Sequence, residues 1–191
     1  DGTHRAVAAH CGDVPLATLS TGTNNAFPRL REATLVGLAA GLVMTGRVGP
    51  EIGLHRNKRL RIAGASIDEM ALVDVCVSRE LARGAGAIGG GEHLSEVFVS
   101  FAEPAQIGLS AIAGLSSPVA RGDPFGLHLR LGSGRTLQAP LLPGVLQPVS
   151  IASARRLLPR RPVPVDAVCD TLVVDGERVI EFDAGHRLQV E

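Results

Sequence analysis

The chain has 191 residues, enough to bury roughly 70% of its unfolded surface without staples. Lys plus Arg and Asp plus Glu each number 19, and the only aromatics beyond histidine are five Phe, so both the basic excess and the stacking platforms of a nucleic-acid binder are missing. The longest helical apolar stretch, Ala33 to Met44, is too short to span a bilayer, and no signal peptide is visible. Three widely spaced cysteines, Cys11, Cys76 and Cys169, form no CxxC pair and no even set, which suits a reducing cytoplasm.

In chain order, residues 1–30 read as α/β. Asp1-Gly2-Thr3 is a turn, His4 to His10 a helix, and Val14 to Leu19 a short strand. Ser20 to Asn25 is a polar turn. Pro28 stands near the first turn of a second helix, where its missing N–H costs nothing. That helix runs to about Val43, with Leu35, Leu38 and Leu42 on one side, and Gly46 with Gly49-Pro50 ends it.

Beyond residue 50, short strand-like runs alternate with Gly and Pro. Arg59 to Ile62, Ala71 to Ser78 and Glu96 to Phe101 are strands by composition. Gly126 to Leu131 alternates, with Leu127, Leu129 and Leu131 on one face and His128 and Arg130 on the other. Leu172 to Phe182 is a hairpin around Asp175-Gly176, a pair suited to positive φ in a primed turn. The expected class is α+β: a remnant of a Rossmann-like domain over residues 1–46, then a β-rich, sandwich-like domain over 47–191. A lone βα fragment cannot bury both faces, so an upstream α/β half is expected.

Two turns carry the chemistry. Asp1-Gly2-Thr3 offers backbone N–H groups to phosphate oxygens and an acid that can take a proton from a hydroxyl. Thr21, Gly22, Thr23, Asn24 and Asn25 follow a predicted strand, the usual ligand position in α/β sheets. Read singly, the first is a plain turn and the second a capping loop. His4 and His10 stand six apart on different helix faces, and His10-Cys11-x-Asp13 has no metal-ligand spacing. Gly89-Gly90-Gly91 lacks the context of a P-loop and reads as a loop. Cys76 reads as inert core, the pairs Arg155-Arg156 and Arg160-Arg161 as solvated, and Asp175-Gly176 as its turn alone.

Together, Asp-Gly-Thr, an apolar strand and Thr-Gly-Thr-Asn resemble the core of the NAD kinase superfamily, with its diacylglycerol-type lipid kinases. "PLATLSTGTNNAFP", "REATLVGLAAGLV", "FAEPAQIGLSAIAGL" and the closing "LVVDGERVIEFDAGHRLQVE" resemble, more narrowly, the acetoin-catabolism protein X group, also described as ATP-NAD kinase-like. The resemblance covers nearly the whole chain. It implies phosphoryl transfer from ATP, with Mg²⁺ held through the phosphates and the 2′-hydroxyl of NAD as acceptor, giving NADP. By resemblance Asp1 matches the catalytic base, Gly2 and Thr3 the phosphate turn, and Thr21 to Asn25 the loop lining the same crevice. "ALVDV" aligns with an Ala-Leu-Asn-Glu motif that holds the dinucleotide, so Val73 replaces Asn and Asp74 replaces Glu. Ser110 and Gly114 fit a hydroxyl-rich family loop whose other hydroxyls and Tyr are absent. The expected partners are a small-molecule nucleotide and further copies of the chain, because relatives assemble through the β-rich domain. Val73 favours an alternative, a non-catalytic nucleotide-binding or assembly module. The 191-residue piece itself is expected to be inactive, since nothing would hold Asp1 at a chain end.

Overall fold

A computed structural model describes residues 1–22, 25–64, 66–79, 91–166, 171–182 and 187–191. It divides into two compact units, Asp1–Asn57 and Lys58–Glu191. The first holds three helices: α1 (Gly2–Ala8), α2 (Ala33–Met44) and α3 (Pro50–Gly53). No described helix is long and apolar enough to cross a membrane.

Helix α1 starts two residues before the expected His4, directly after Asp1, and ends before His10. The strand expected over Val14–Leu19 is not formed. Pro15 lacks an N–H, and the described part of this unit offers no other strand to pair with, so β-branched composition alone does not suffice. Helix α2 begins at Ala33 rather than near Pro28 because the Glu32 carboxylate accepts the Leu35 N–H at 3.1 Å and fixes the first turn there. Gly46 closes the helix as expected, at φ +69°, a conformation that favours glycine. Leu35 and Leu38 stay more than half exposed. Pro28 alone among the described residues of this unit is buried, so the unit has almost no core of its own.

The second unit is mostly strand, in two antiparallel sheets. A four-stranded sheet runs in the order β2 (Ile67–Ala71), β1 (Leu60–Gly64), β10 (Gln189–Val190), β7 (Val163–Pro164). A six-stranded sheet runs β6 (Val145–Leu157), β5 (Gly126–Leu142), β4 (Leu94–Val99), β3 (Asp74–Ser78), β8 (Thr171–Val174), β9 (Arg178–Glu181). The expected α+β class and antiparallel layers are therefore present.

One hydrophobic cluster draws on both sheets, with Leu60, Ile62 and Val190 from the first and Val75, Val77, Phe98, Leu172 and Val174 from the second. A second cluster covers the opposite face of the six-stranded sheet, where Cys76, Val97, Val99, Leu129 and Val173 meet Ile112 and Ala113 of helix α4 (Ser110–Ser116). With both faces covered, β3 and β8 are buried along their whole length, and each large side chain there contributes roughly 1.5–3 kcal/mol.

The run Ala71–Ser78 is not one strand. It breaks at Leu72-Val73, where the chain leaves the four-stranded sheet and enters the six-stranded one. The Asp175-Gly176 hairpin forms with φ of +51° and +67°, and Glu177 N–H donates to Val174 C=O across the turn. Strand pairing then closes at Val174 opposite Arg178.

Candidate functional site

In the first unit the two polar turns meet. The Asp1 carboxylate lies between two main-chain donors: Ala26 N–H reaches one oxygen at 2.8 Å and Phe27 N–H the other at 3.0 Å. The terminal amino group of Asp1 donates to Asn25 Oδ1 at 2.7 Å, and Asn25 Nδ2 donates to Ser20 Oγ at 3.2 Å. The expectation that Asp1 is unheld is thus corrected, because residues 24 to 26 positions away grip it from both ends. Gly2 and Thr3 make the first turn of α1, and the Asp1 side chain does not cap it. Thr21 and Gly22 lie exposed beside Asn25. Thr23 and Asn24 lie outside the described residues.

In the second unit the structure joins two predicted residues 36 positions apart. Asp74, only 5% exposed, begins β3, and the Ser110 main-chain N–H at the start of α4 is near enough to its carboxyl to favour the charged form slightly. Asp74 Oδ1 finds no partner among the described residues. Burial first, and the Asp175 charge second, push the Asp74 carboxyl up to about 8 against a slight opposing pull from the Ser110 N–H. Asp74 therefore carries a proton at neutral pH. Gly114 has a packing role instead: a Cβ there would lie 2.4 Å from the carbonyl oxygen of Glu103.

That proton has a measurable consequence. Below about pH 4 the folded and unfolded chains both hold it. Between about pH 4 and 8 the unfolded chain releases it while the folded chain keeps it, so stability falls as pH rises, then levels off. The loss from this group is on the order of 5–6 kcal/mol over the window. In Asp74→Asn this contribution should vanish, which denaturant unfolding between pH 5 and 9 would register as a flatter stability profile. An unchanged profile would refute the assignment.

Asp175, read from the sequence as a turn residue alone, does more. Its carboxylate accepts Leu72 N–H at 3.0 Å, Val73 N–H at 2.8 Å and Asp74 N–H at 3.3 Å, and its own N–H donates to Asp74 C=O at 2.9 Å. From the other side Ser100 donates its hydroxyl to Leu72 C=O at 2.5 Å and its N–H to Val73 C=O at 2.9 Å. Val73, 1% exposed, projects nothing into solvent. A second unforeseen pair is Glu96 and His128, both buried with 2.5 Å between Oε2 and Nε2. The other Glu96 oxygen accepts Asp166 N–H at 2.6 Å, and Phe98 stacks on the His128 ring at 4.2 Å. The strand pattern placed His128 opposite the leucine face but carried no sign that this face is covered.

Cys76 is fully buried, as expected, and burial first, then the neighbouring Asp74, push its thiol far up. Cys169, Gly89 and Gly90 lie outside the described residues. Among the described residues no three His, Cys, Asp or Glu side chains cluster as metal ligands.

The sequence model of the family described as "Acetoin catabolism protein X C-terminal domain" matches residues 58–191. The acetoin catabolism protein X of Cupriavidus necator is 47% identical over 191 aligned residues, which take in 95% of this chain and 53% of the relative. The chain thus spans about half the length of that curated relative.

Proposed function

Since the family match takes in residues 58–191, well over half of its length, the chain belongs to the acetoin catabolism protein X family, and from that premise we propose that it is part of an ATP-dependent phosphotransferase of the NAD kinase type acting in acetoin catabolism. The acceptor in this reading is a nucleotide hydroxyl, first of all the 2′-hydroxyl of NAD. One observation carries it: the Asp1 carboxylate accepts the N–H groups of Ala26 and Phe27, 25 and 26 residues on, directly after the second turn that the chemistry needs.

Asp1 supplies the base. Its carboxylate is oriented by Ala26 and Phe27 N–H, as a group that takes a proton from a substrate hydroxyl must be. The fit to ATP rests on α1. Its first intrahelical bond is Arg5 N–H to Asp1 C=O, and no side chain caps the turn, so the N–H groups of Gly2 and Thr3 suit phosphate oxygens. Mg²⁺ bound through the ATP phosphates would neutralise charge that develops in transfer. Thr21 and Asn25 would line the same turn.

The corner at Leu72–Asp74 favours a second reading. Its N–H and C=O groups are spent on Asp175 and Ser100, and Val73 is buried, so the edge expected to hold a dinucleotide is occupied by the protein's own groups. A non-catalytic nucleotide-binding or assembly module is the alternative. Full-length protein incubated with ATP, Mg²⁺ and NAD decides between them. NADP formation supports the kinase, whereas a thermal shift with nucleotide but no transfer supports the module.

A further inference from the structure

Four strands lie at sheet edges, and three of them are guarded. The edge β7 has two residues, one of them Pro164. Strand β9 has four, with Arg178 and Glu181 at its ends. Strand β2 carries Asp68 and Glu69, which pair with Arg61 and Arg178. Short length, charge and proline all keep an edge from recruiting another strand. The fourth edge, β6, is different. It has 13 residues, pairs with β5 along one side from Val145 to Leu157, and has no strand on its other side among the described residues. Its middle, Val149 to Ala154, holds no charge, no proline and no glycine. Ala152 and Ala154 are exposed there and too small to fend off an incoming chain.

We propose that β6 is a dimerisation edge, which pairs with β6 of a second copy, antiparallel about a two-fold axis at Ala152. The two six-stranded sheets then join into one. Two observations select this partner. The first is charge. Arg155 and Arg156 stand exposed at one end of the strand. Parallel pairing in register would set each arginine beside its own copy, whereas the axis at Ala152 sets them opposite Val149 and Pro148, at the uncharged end. The second is apolar. Leu146, 65% exposed, and Leu158, 39% exposed, stand six residues to either side of Ala152. The same axis places Leu146 of each copy opposite Leu158 of the other, so the edge complements itself, as a two-fold dimer requires. The outward N–H and C=O groups of the strand gain partners across the axis, and the flanking leucines leave water. No residue of the first unit takes part, so the proposal does not depend on the kinase reading.

The test uses the full-length protein. Sedimentation velocity across about 1 to 100 µM should show a dimer that dissociates on dilution. Ala152→Lys combined with Ala154→Lys brings like charges together at the axis and should weaken self-association by about 100-fold or more. Both positions are exposed, so the circular dichroism spectrum should stay that of wild type. Leu146→Ser tests the flank without touching the middle of the strand, and should weaken association by about tenfold. Hydrogen exchange gives a local reading. Amides of residues 150–154 that face away from β5 should exchange more slowly in the dimer than in the double variant, and equal rates overturn the proposal. A wild-type protein that stays monomeric up to about 100 µM overturns it too, since the edge is then left bare or covered within one chain. So does a dimer that both variants leave at wild-type affinity, because assembly then uses another surface.

Discussion

Asp175→Ala should destabilise the second unit by about 3–5 kcal/mol, the largest stability loss expected from a single polar side chain here. Three main-chain N–H groups, those of Leu72, Val73 and Asp74, donate to the Asp175 carboxylate where the chain passes between sheets. Leu72, Val73 and Asp74 are all at most 5% exposed, so water cannot take over as acceptor. An unsatisfied buried donor costs about 1–3 kcal/mol, and bonds to a charged acceptor lie at the strong end of the range. One opposing effect is present. Removing the Asp175 charge also removes a repulsion that raises Asp74, so part of the loss returns at alkaline pH, where Asp74 would otherwise be forced to ionise. The deficit should therefore be greatest near pH 5 and smaller near pH 9. Thermal unfolding would show a fall in midpoint of roughly 10 °C or more at neutral pH. A midpoint within about 2 °C of wild type would mean that this corner needs no carboxylate. The pH dependence of the deficit separates the lost hydrogen bonds from the relieved repulsion.

This residue also marks where sequence reading stopped. Asp-Gly fixed the backbone of the turn, because few other pairs accept positive φ at two successive positions, and both angles are positive. Nothing in that rule says where the aspartate side chain points, and its target lies 101 to 103 residues earlier in the chain. The β-branched run from Ala71 to Ser78 read as one strand for a related reason. Propensity sees an extended pleated chain, while the break at Leu72-Val73 comes from a change of sheet that only long-range pairing reveals. Val14 to Leu19 failed in the opposite direction, with strand composition and no partner strand. Period-two alternation placed Leu127, Leu129 and Leu131 together correctly, since all three lie in one cluster. It could not tell that the face holding His128 is also buried, because a sheet covered on both sides erases the polar signal that marks solvent. Resemblance put Asp74 and Ser110 into one group, and the Ser110 main-chain N–H is near enough to act on the Asp74 carboxyl. The proton on Asp74 was out of reach, for it depends on burial and on the charge of Asp175.

On the kinase reading proposed above, Asp1→Asn in the full-length protein should reduce phosphoryl transfer by about 10³-fold, the largest effect on rate expected from any residue here. The substitution keeps size and shape but removes the negative charge and the capacity to take a proton. It also disturbs the grip on the side chain. An amide can turn its oxygen toward Ala26 N–H or toward Phe27 N–H, but its NH₂ then faces the other donor, so one of the two bonds is lost. At this half-exposed turn water can take over as acceptor, so the structural cost is small and the midpoint of unfolding should stay nearly unchanged. The kinetic split is diagnostic. If Asp1 acts on the acceptor hydroxyl, KM for ATP stays within about threefold of wild type, and the acidic limb of the kcat/KM profile disappears with the carboxylate that produced it. Asp1→Glu provides the complementary test. One extra methylene keeps the charge but moves the oxygens out of register with residues 26 and 27, so it should recover the acidic limb while recovering little of the rate. A variant Asp1→Asn that keeps more than about a tenth of the wild-type rate would rule out a base at this position. If it loses ATP affinity instead of turnover, the carboxylate serves the nucleotide, and the acceptor hydroxyl must be activated elsewhere.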